Sequence, residues 1–370
     1  MATNASNITT EMPASLLPMP FSRAIHILSL IVLPTILLFG TFGNVMIIII
    51  MNRFRNTVSS MSVYFTALAV SDLLFIYTVV MRMFIFTIFS YDYFTISTAV
   101  CKIGVFLLYV TGVTSPWILV TMTMQRAASV LWPHRVNVLC TRRKSIFTVM
   151  GIVLFIACIH SHFLYGSDLV QYWNGTFTFC LPSTAKYKQF INNVWSWVDL
   201  LFFSSLPFLF LIISNGLLVK KLAASVREAN LTLSAGQCGQ AKSREKKVSS
   251  VTLTLVIVSI TFIILCLPFS LYILLTDFVL DKIPGENVFS RSLKELVYAI
   301  INWLWFWNSA VNFYLYCLTG SKFRTECLRV LTFNRFPRRK QNAANNSHLT
   351  HFSYANSTNS NTVSYANFDF

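Results

Sequence analysis

Long apolar stretches separated by short polar segments dominate the pattern along this chain. A helix that crosses the hydrocarbon core of a membrane needs about 20 mostly apolar residues, whereas a barrel strand needs about 10 residues of alternating polarity. The stretches here do not alternate, and lipid offers backbone groups no partner outside their own helix. They therefore predict seven membrane-spanning helices, at Ala24–Met51, Ser60–Phe89, Ala99–Val130, Lys144–Tyr165, Asn192–Leu222, Val248–Thr276 and Leu293–Leu318.

The composition supports the same fold class. Of the 370 residues, 55% are hydrophobic and only 11% are charged, against about 25% charged in soluble domains. So few charges could not cover this much apolar surface in water, and a disordered chain would not carry it. The first stretch is too long, and begins too late, for a cleaved signal peptide. An all-α membrane protein remains.

Basic residues are distributed unevenly between the predicted loops. Of the 29 Lys and Arg residues, 21 lie at or after the ends of spans one, three, five and seven, with only four acids. The positive-inside rule then places the N-terminus outside the cell and the C-terminus in the cytosol. The net charge of +16 has this topological explanation, so nucleic acid is not expected as a partner.

The predicted outer side carries sites of two covalent modifications. Asn4, Asn7 and Asn174 begin N-x-Ser/Thr triplets and predict N-linked glycosylation. Cys101 and Cys180 are the only cysteines expected in oxidising space, so a disulfide between them is predicted.

Several short motifs follow one another along the predicted spans. They are Gly43–Asn44, Leu68 to Asp72, Cys101, Arg126, Pro133, Pro207, Phe262 with Pro268, Asn308–Ser309, and Asn312 to Tyr316. In this order they resemble the motifs of the rhodopsin-like (class A) G-protein-coupled receptors, over about 300 residues. Cys101 precedes Arg126 by the spacing between the family's outer cysteine and the arginine of its DRY motif. The resemblance implies a seven-helix bundle with a short interfacial eighth helix.

Other positions depart from the family pattern. Gln125 stands where the DRY motif has its aspartate, Phe313 replaces the proline of the NPxxY region, and Cys266 replaces the sixth-helix tryptophan. The end of the last helix is similar to invertebrate neuropeptide receptors of the FMRFamide or thyrotropin-releasing-hormone type.

Asp72 is the only carboxylate deep inside a predicted span, where ionisable groups are costly. The resemblance implies a sodium site around it, in which the ion favours the inactive packing as an allosteric modulator; no other cofactor is expected. The alternative is a protonated or water-bonded Asp72 that holds helices together. The implied sodium ligands are Asp72, Ser115, Asn308, Ser309 and Asn312.

The resemblance implies that Arg126 contacts a heterotrimeric G protein when the sixth helix moves outward. The alternative is an ordinary cytosolic charge that reaches the lipid headgroups. Gln125 can offer Arg126 only a neutral hydrogen bond, which is weaker than a charge-assisted one, so raised basal activity is expected. The implied coupling residues are Gln125, Arg126, Phe262, Cys266 and Tyr316.

The ligand pocket is expected between the outer halves of the helices. Leu108 stands where amine receptors carry an aspartate, and Phe306 where retinal proteins carry a lysine, so a short peptide is the expected ligand. Arg82 could bind a carboxylate or amide oxygen of the peptide, and Asp199 could bind an amine or basic side chain of the peptide. The alternative is that Arg82 and Asp199 pair with each other or with water. The predicted lining is Tyr77, Arg82, Leu108, Tyr109, Trp195, Asp199, Tyr272, Tyr298 and Asn302.

The domain prediction has four parts: an extracellular glycosylated tail at 1–23, the receptor domain at 24–318, an amphipathic helix at 319–334 and a disordered cytoplasmic tail at 335–370. The amphipathic helix would place Phe323, Cys327 and Leu331 on one side against membrane lipid. Cys327 there is either palmitoylated or a buried thiol. Phosphates on the tail would recruit arrestin.

We therefore predict a multi-pass receptor of the plasma membrane rather than an enzyme, since no HExxH, phosphate loop or nucleophile elbow is present. A chemosensory or lipid receptor and a silent decoy remain alternatives within the family. A transporter or channel is the alternative outside it, although neither repeated halves nor broken helices are apparent.

Overall fold

The computed structural model describes residues 21–53, 60–132, 140–172, 177–233, 240–278 and 288–332. The predicted glycosylation sites Asn4, Asn7 and Asn174 and the predicted tail at 335–370 lie outside these ranges. Within them, the elements in chain order are α1 (Ser22–Arg53), α2 (Ser60–Phe89), α3 (Thr98–Leu131), α4 (Arg142–Gly166), β1 (Ser167–Tyr172), β2 (Phe177–Pro182), α5 (residues 185–233), α6 (Gln240–Phe278), α7 (Val288–Thr319) and α8 (Ser321–Leu331).

Six of the described helices, α1 to α6, are both long and apolar enough to cross a membrane. The seventh predicted span, α7, forms a helix of 32 residues, or about 48 Å at 1.5 Å per residue. Its length is therefore sufficient. It is less apolar than the others because it carries Asn302, Asn308 and Asn312, of which Asn312 faces the bundle as described below.

Most helices extend beyond the predicted spans. Helix α5 begins at Ala185 rather than Asn192, and α6 begins at Gln240 rather than Val248. Backbone hydrogen bonding continues where a helix leaves the hydrocarbon, whereas the apolar pattern registers only the part inside it.

Three π-helical turns interrupt the outer halves of α2 and α5. They lie at Ile76–Val80, Ile191–Trp195 and Leu201–Ser205. A π turn wraps more residues than an α turn and therefore changes the direction of the side chains around it; such turns are frequent at functional sites. The two turns in α5 include Trp195 and Phe203, which line the cavity described below.

Helix α1 packs closely against α7 because two glycines face it. A Cβ atom on Gly43 would lie 2.9 Å from Cβ of Phe313, and one on Gly40 would lie 3.2 Å from Cβ of Ala310. The neighbouring Asn44 is buried and donates hydrogen bonds to the carbonyl oxygens of Gly40 (2.9 Å) and Ser309 (2.8 Å). The Gly43–Asn44 motif is thus a contact between the first and last spans.

An antiparallel hairpin of β1 and β2 precedes α5 and is tied to the start of α3. The predicted disulfide between Cys101 and Cys180 is confirmed, with a Cα–Cα distance of 5.5 Å. Asp168 of β1 accepts hydrogen bonds from its neighbour's backbone, Leu169 N, and from Thr98 Oγ1 of α3 (3.0 Å), which hold its pKa below the usual range. The hairpin is therefore fixed to α3 at two points.

Helix α8 follows α7 after a single residue, Gly320. Phe323 and Cys327 of α8 are buried against the bundle, whereas Leu331 is half exposed. Leu331 lies at the last residue of the helix. That the three residues form one side against membrane lipid stays a prediction. Cys327 occupies the buried position that the thiol alternative requires.

Candidate functional site

A buried carboxylate forms the polar centre of the bundle. Asp72 of α2 is 1% exposed. Its two oxygens accept hydrogen bonds from two other helices: Oδ1 from Ser115 Oγ of α3 and Oδ2 from Asn312 Nδ2 of α7, both at 2.8 Å. Ser71, which the sequence reasoning missed, accepts a hydrogen bond from Ser115 Oγ at 3.1 Å. Three helices are thus joined through one carboxylate.

The other two predicted sodium ligands are arranged differently. The Ser309 hydroxyl donates to the carbonyl oxygen of Phe306, one turn earlier in its own helix, and the Ser309 carbonyl accepts from Asn44. Asn308 is only partly buried. The structure brings Asp72, Ser115 and Asn312 together by direct hydrogen bonds, with Ser309 in the layer next to them.

A cavity of about 130 Å³ opens between the outer halves of α3, α5 and α6. Tyr109, Trp195 and Asp199, all predicted from the sequence, line its wall. The remaining lining residues were not predicted; they include Ser196, Phe203, Phe269 and Ser270. The cavity is thus an aromatic chamber with one acidic group.

Asp199 has an incomplete set of partners in this chamber. Its Oδ1 atom is buried and accepts no hydrogen bond from the part of the chain that the structure describes. A buried polar atom without a partner costs free energy, and a buried charge costs more. The wall of the cavity therefore offers an acceptor for a hydrogen-bond donor or a cation from outside the chain.

Arg82 requires a correction. It was predicted to hold a carboxylate or amide oxygen of the ligand, with a pair to Asp199 or to water as the alternative. Instead it forms a two-pronged ion pair with Asp92, from Nε to Oδ1 (2.8 Å) and from Nη2 to Oδ2 (2.5 Å). Its guanidinium also lies 4.1 Å from the ring centroid of Phe94. Asp92 follows α2 by only a few residues, so a local partner takes the charge that was assigned to the pocket.

The other predicted pocket residues divide into two groups. Tyr77 accepts a hydrogen bond from Thr41 of α1 at 3.2 Å, and Leu108 packs with a core cluster, so neither lines the cavity. Between α6 and α7, the rings of Tyr272 and Tyr298 lie 5.3 Å apart, and Asn302 Nδ2 donates to the Tyr298 carbonyl at 2.7 Å. The two tyrosines thus form a separate contact between α6 and α7, whereas the hydrogen bond of Asn302 stays within α7.

At the end of α3 that lies away from the hairpin, the amide of Gln125 binds a neighbouring helix rather than Arg126. Its Nε2 donates to Ser60 Oγ at the start of α2, at 2.9 Å, while its Oε1 is buried without a described partner. Arg126 next to it is partly buried. The predicted neighbours Phe262, Cys266 and Tyr316 are all buried in one cluster, and the Tyr316 hydroxyl has no described partner.

These features define a class: a polytopic helical membrane protein with a polar centre, an outer cavity and a disulfide-tied hairpin. The chain belongs to the 7 transmembrane receptor (rhodopsin family), whose family model matches residues 43–316. That family has seven membrane-spanning helices and is a receptor family rather than an enzyme family. The expected fold class is confirmed.

Curated relatives are distant but numerous. The FMRFamide receptor of Drosophila melanogaster is 24% identical over 323 residues, covering 81% of this chain and 53% of that receptor. The neuromedin U receptor homolog nmur-2 of Caenorhabditis elegans is 23% identical, covering 89% and 85%. The mouse cysteinyl leukotriene receptor 1 is 23% identical over 192 residues, covering 52% and 54%. The chain thus spans about half the length of the first and third of these relatives.

Proposed function

We propose that this chain is a receptor for a short extracellular peptide with a cationic group. The observation that carries the proposal is Asp199, whose buried Oδ1 lacks a partner in the wall of an aromatic cavity. An ammonium or guanidinium group would complete its hydrogen bonds, and the rings of Tyr109 and Trp195 would favour a cation nearby.

The ligand classes of the relatives can be weighed against this cavity. Leukotrienes are acidic lipids, and a lipid carboxylate would be repelled by Asp199. Among the described residues that line the cavity, no Arg or Lys is present to offset this repulsion. A peptide with a basic side chain or a free amine suits the same wall, and the FMRFamide and neuromedin U receptors are peptide receptors by name.

The signalling side of the proposal is coupling to a heterotrimeric G protein at the plasma membrane. The unequal distribution of basic residues supports an outer N-terminus and a cytosolic C-terminus. The Cys101–Cys180 disulfide supports an oxidising outer side for the hairpin. Arg126 would contact the G protein, and phosphates on the C-terminal tail would recruit arrestin.

Sodium is proposed as an allosteric modulator at Asp72. A carboxylate has about four lone-pair positions, and the two oxygens of Asp72 use one each on Ser115 and Asn312. Hydroxyl oxygens of Ser115 and Ser71 lie beside them, which is the oxygen set that a hard cation prefers. A bound ion would neutralise the buried carboxylate and stabilise the packing that holds it.

The test is to express the full chain with a promiscuous G protein and to screen amidated peptides for calcium release. We expect responses confined to peptides with a basic residue or a free amine, weakened by Asp199→Asn and unchanged by Asp168→Asn, which alters an exposed hairpin acid. Arg126→Ala should abolish the signal with the receptor still at the cell surface.

Surface expression without a response to any peptide would contradict the proposal and favour a chemosensory receptor or a decoy. Responses confined to acidic lipids would favour the lipid receptor.

A further inference from the structure

The described core is divided into three hydrophobic clusters. The inner cluster, on the cytosolic side, includes Met122, Phe262 and Tyr316. The outer cluster between α1, α2 and α7 includes Leu33, Phe75 and Phe306. The lateral cluster between α3, α4 and α5 includes Val110, Ile156 and Phe203. Among the described residues, Trp305 of α7 is the one side chain that packs against all three clusters.

On its outer side, the Trp305 ring contacts two walls of the ligand cavity. It stacks on Phe269 of α6, with ring centroids 4.5 Å apart and planes 22° apart, and meets Phe203 of α5 edge-on at 5.5 Å. Both phenylalanines line the cavity. A ligand that displaces either ring must therefore displace Trp305 or break its contact with it.

On its inner side, Trp305 lies about one helical turn from the hydrogen bond between Ser115 and Asp72. Its ring is 5.0 Å from that of Phe75, which follows Asp72 by three residues in α2. On α3, a Cβ atom placed on Gly112 would lie 3.6 Å from Cζ2 of Trp305, and Gly112 precedes Ser115 by three residues. Residues three apart in a helix lie on the same face. Asp72 and Ser115 therefore lie one turn further along the same faces of α2 and α3 that contact the Trp305 ring through Phe75 and Gly112.

The neighbouring residues make this position distinctive. On α6, Cys266 is fully buried and precedes Phe269 by three residues. The buried position of α6 at this level therefore carries a small side chain. The aromatic ring that contacts α2, α5 and α6 at this level is therefore that of Trp305 on α7 and does not come from α6. Trp303 and Trp307 of the same helix pack only against the outer cluster, and they supply matched controls.

We propose that Trp305 is a positioning residue that couples the ligand cavity to the Asp72 network. Displacement of Phe203 or Phe269 shifts the Trp305 ring, and this shift repacks Phe75 and Gly112 and so moves the helices that carry Asp72 and Ser115. The signalling meaning of this coupling rests on the proposed function, but the coupling itself is a property of the packing.

The test is a double-mutant cycle that needs neither a peptide nor an added ion. Wild type, Asp72→Asn, Trp305→Ala and the double variant are compared by basal signalling per receptor at the cell surface. Effects of residues coupled through shared packing do not combine independently. We expect the double variant to deviate at least about threefold from the product of the single effects, and a cycle with Trp303→Ala to show no such deviation.

Thermal unfolding of the same purified full-length proteins gives a second readout that does not require signalling. We expect non-additive midpoints, differing by about 3 °C or more from the sum of the single shifts, and a partial return toward wild type in Trp305→Phe, which keeps a ring against Phe269. The inference would be overturned if the double variant's basal signalling equals the product of the single effects and its midpoint shift equals their sum. That outcome would leave the receptor function intact. A wild type that responds to no peptide in the screen, but whose variants show non-additive midpoints, would overturn the proposed function and retain the coupling.

Discussion

Two acidic residues inside the bundle differ in whether their carboxylate oxygens have hydrogen-bond partners. Asp72 is completely buried, and each of its oxygens accepts a hydrogen bond from a neighbouring helix. Asp199 lies in a cavity wall, and its buried Oδ1 accepts none from the described residues. A buried polar group with partners contributes to the fold, whereas one without partners costs stability and persists where a ligand supplies the missing contact. The inner acid thus joins helices, and the outer acid is available for binding.

The largest expected effect is on the inner acid. Asp72→Ala leaves the buried Asn312 amide without its acceptor at Oδ2 and removes one of the two acceptors of the Ser115 hydroxyl. Each such group costs about 1–3 kcal/mol, so we expect the free energy of unfolding to fall by about 3 kcal/mol. Thermal unfolding of the purified receptor measures this. Asp72→Asn, which keeps an acceptor oxygen, is the control and should cost less; equal losses would contradict the role assigned to the hydrogen bonds.

Substitution of the outer acid, Asp199, should not lower the stability of the ligand-free receptor. Asp199→Asn removes a buried charge without breaking a described hydrogen bond at Oδ1, so the ligand-free receptor should be unchanged or slightly more stable. Its response to a basic peptide should weaken by about 30-fold, which is a loss of about 2 kcal/mol for a charge-assisted hydrogen bond. A clear loss of ligand-free stability would show that Asp199 has a structural partner and would remove the contrast.

Comparison of these sites with the sequence shows what the sequence alone can predict. The spans follow from apolar length, which is a local signal, and the Cys101–Cys180 disulfide follows from the topology that those spans predict. The meeting of Asp72 with Asn312 was implied by the resemblance to the receptor family. The partner of Arg82 does not, because Asp92 reaches it only after the chain turns back beyond α2. The sequence therefore did not predict that Asp92 occupies the Arg82 guanidinium, which was assigned to a ligand oxygen.

The cavity could be predicted only in part. Tyr109, Trp195 and Asp199 were placed in it, but Phe203 and Phe269 were not. Aromatic residues are so frequent in the spans that composition does not distinguish a lipid-facing ring from a cavity wall. The π-helical turns at Ile191–Trp195 and Leu201–Ser205 change which face of α5 is turned inward, and no periodicity in the sequence marks them.

A smaller effect is expected at Gln125, near the end of α3 that lies away from the hairpin. Gln125 donates to Ser60 rather than holding Arg126 by a charge. Gln125→Glu keeps the side-chain length, can accept from the Ser60 hydroxyl and adds a charge beside Arg126. We expect basal signalling to fall about threefold, which corresponds to about 0.7 kcal/mol in favour of the resting packing. Gln125→Met is the control without charge; an equal fall in both variants would argue against an electrostatic cause.

The smallest effect concerns a paired acid on the outer side. Burial raises the pKa of Asp92, but the hydrogen bond and the charge of Arg82 and the backbone N–H of Phe94 outweigh it and lower that pKa below its usual value. The ion pair therefore contributes its full stability above about pH 4, the ordinary pKa of an aspartate. This contribution is lost as the pH falls below that value through the folded-state pKa.

Stability curves of wild type and Arg82→Gln between pH 3 and 7 measure this difference. The wild type should lose its advantage over the variant at the acidic end. A difference between the two proteins that stays constant over the whole range would contradict the assigned pairing.

The most direct test of the account joins Asp199 to the charge of the ligand. A basic peptide recovered from the screen is compared with its neutral isostere, citrulline for arginine or norleucine for lysine, on the wild type and on Asp199→Asn. We predict that removing the peptide charge lowers potency about 30-fold on the wild type and less than about threefold on the variant. The effect on the variant is smaller because Asp199→Asn has already removed the charge pair. Equal losses on both receptors would contradict the claim that Asp199 binds the ligand.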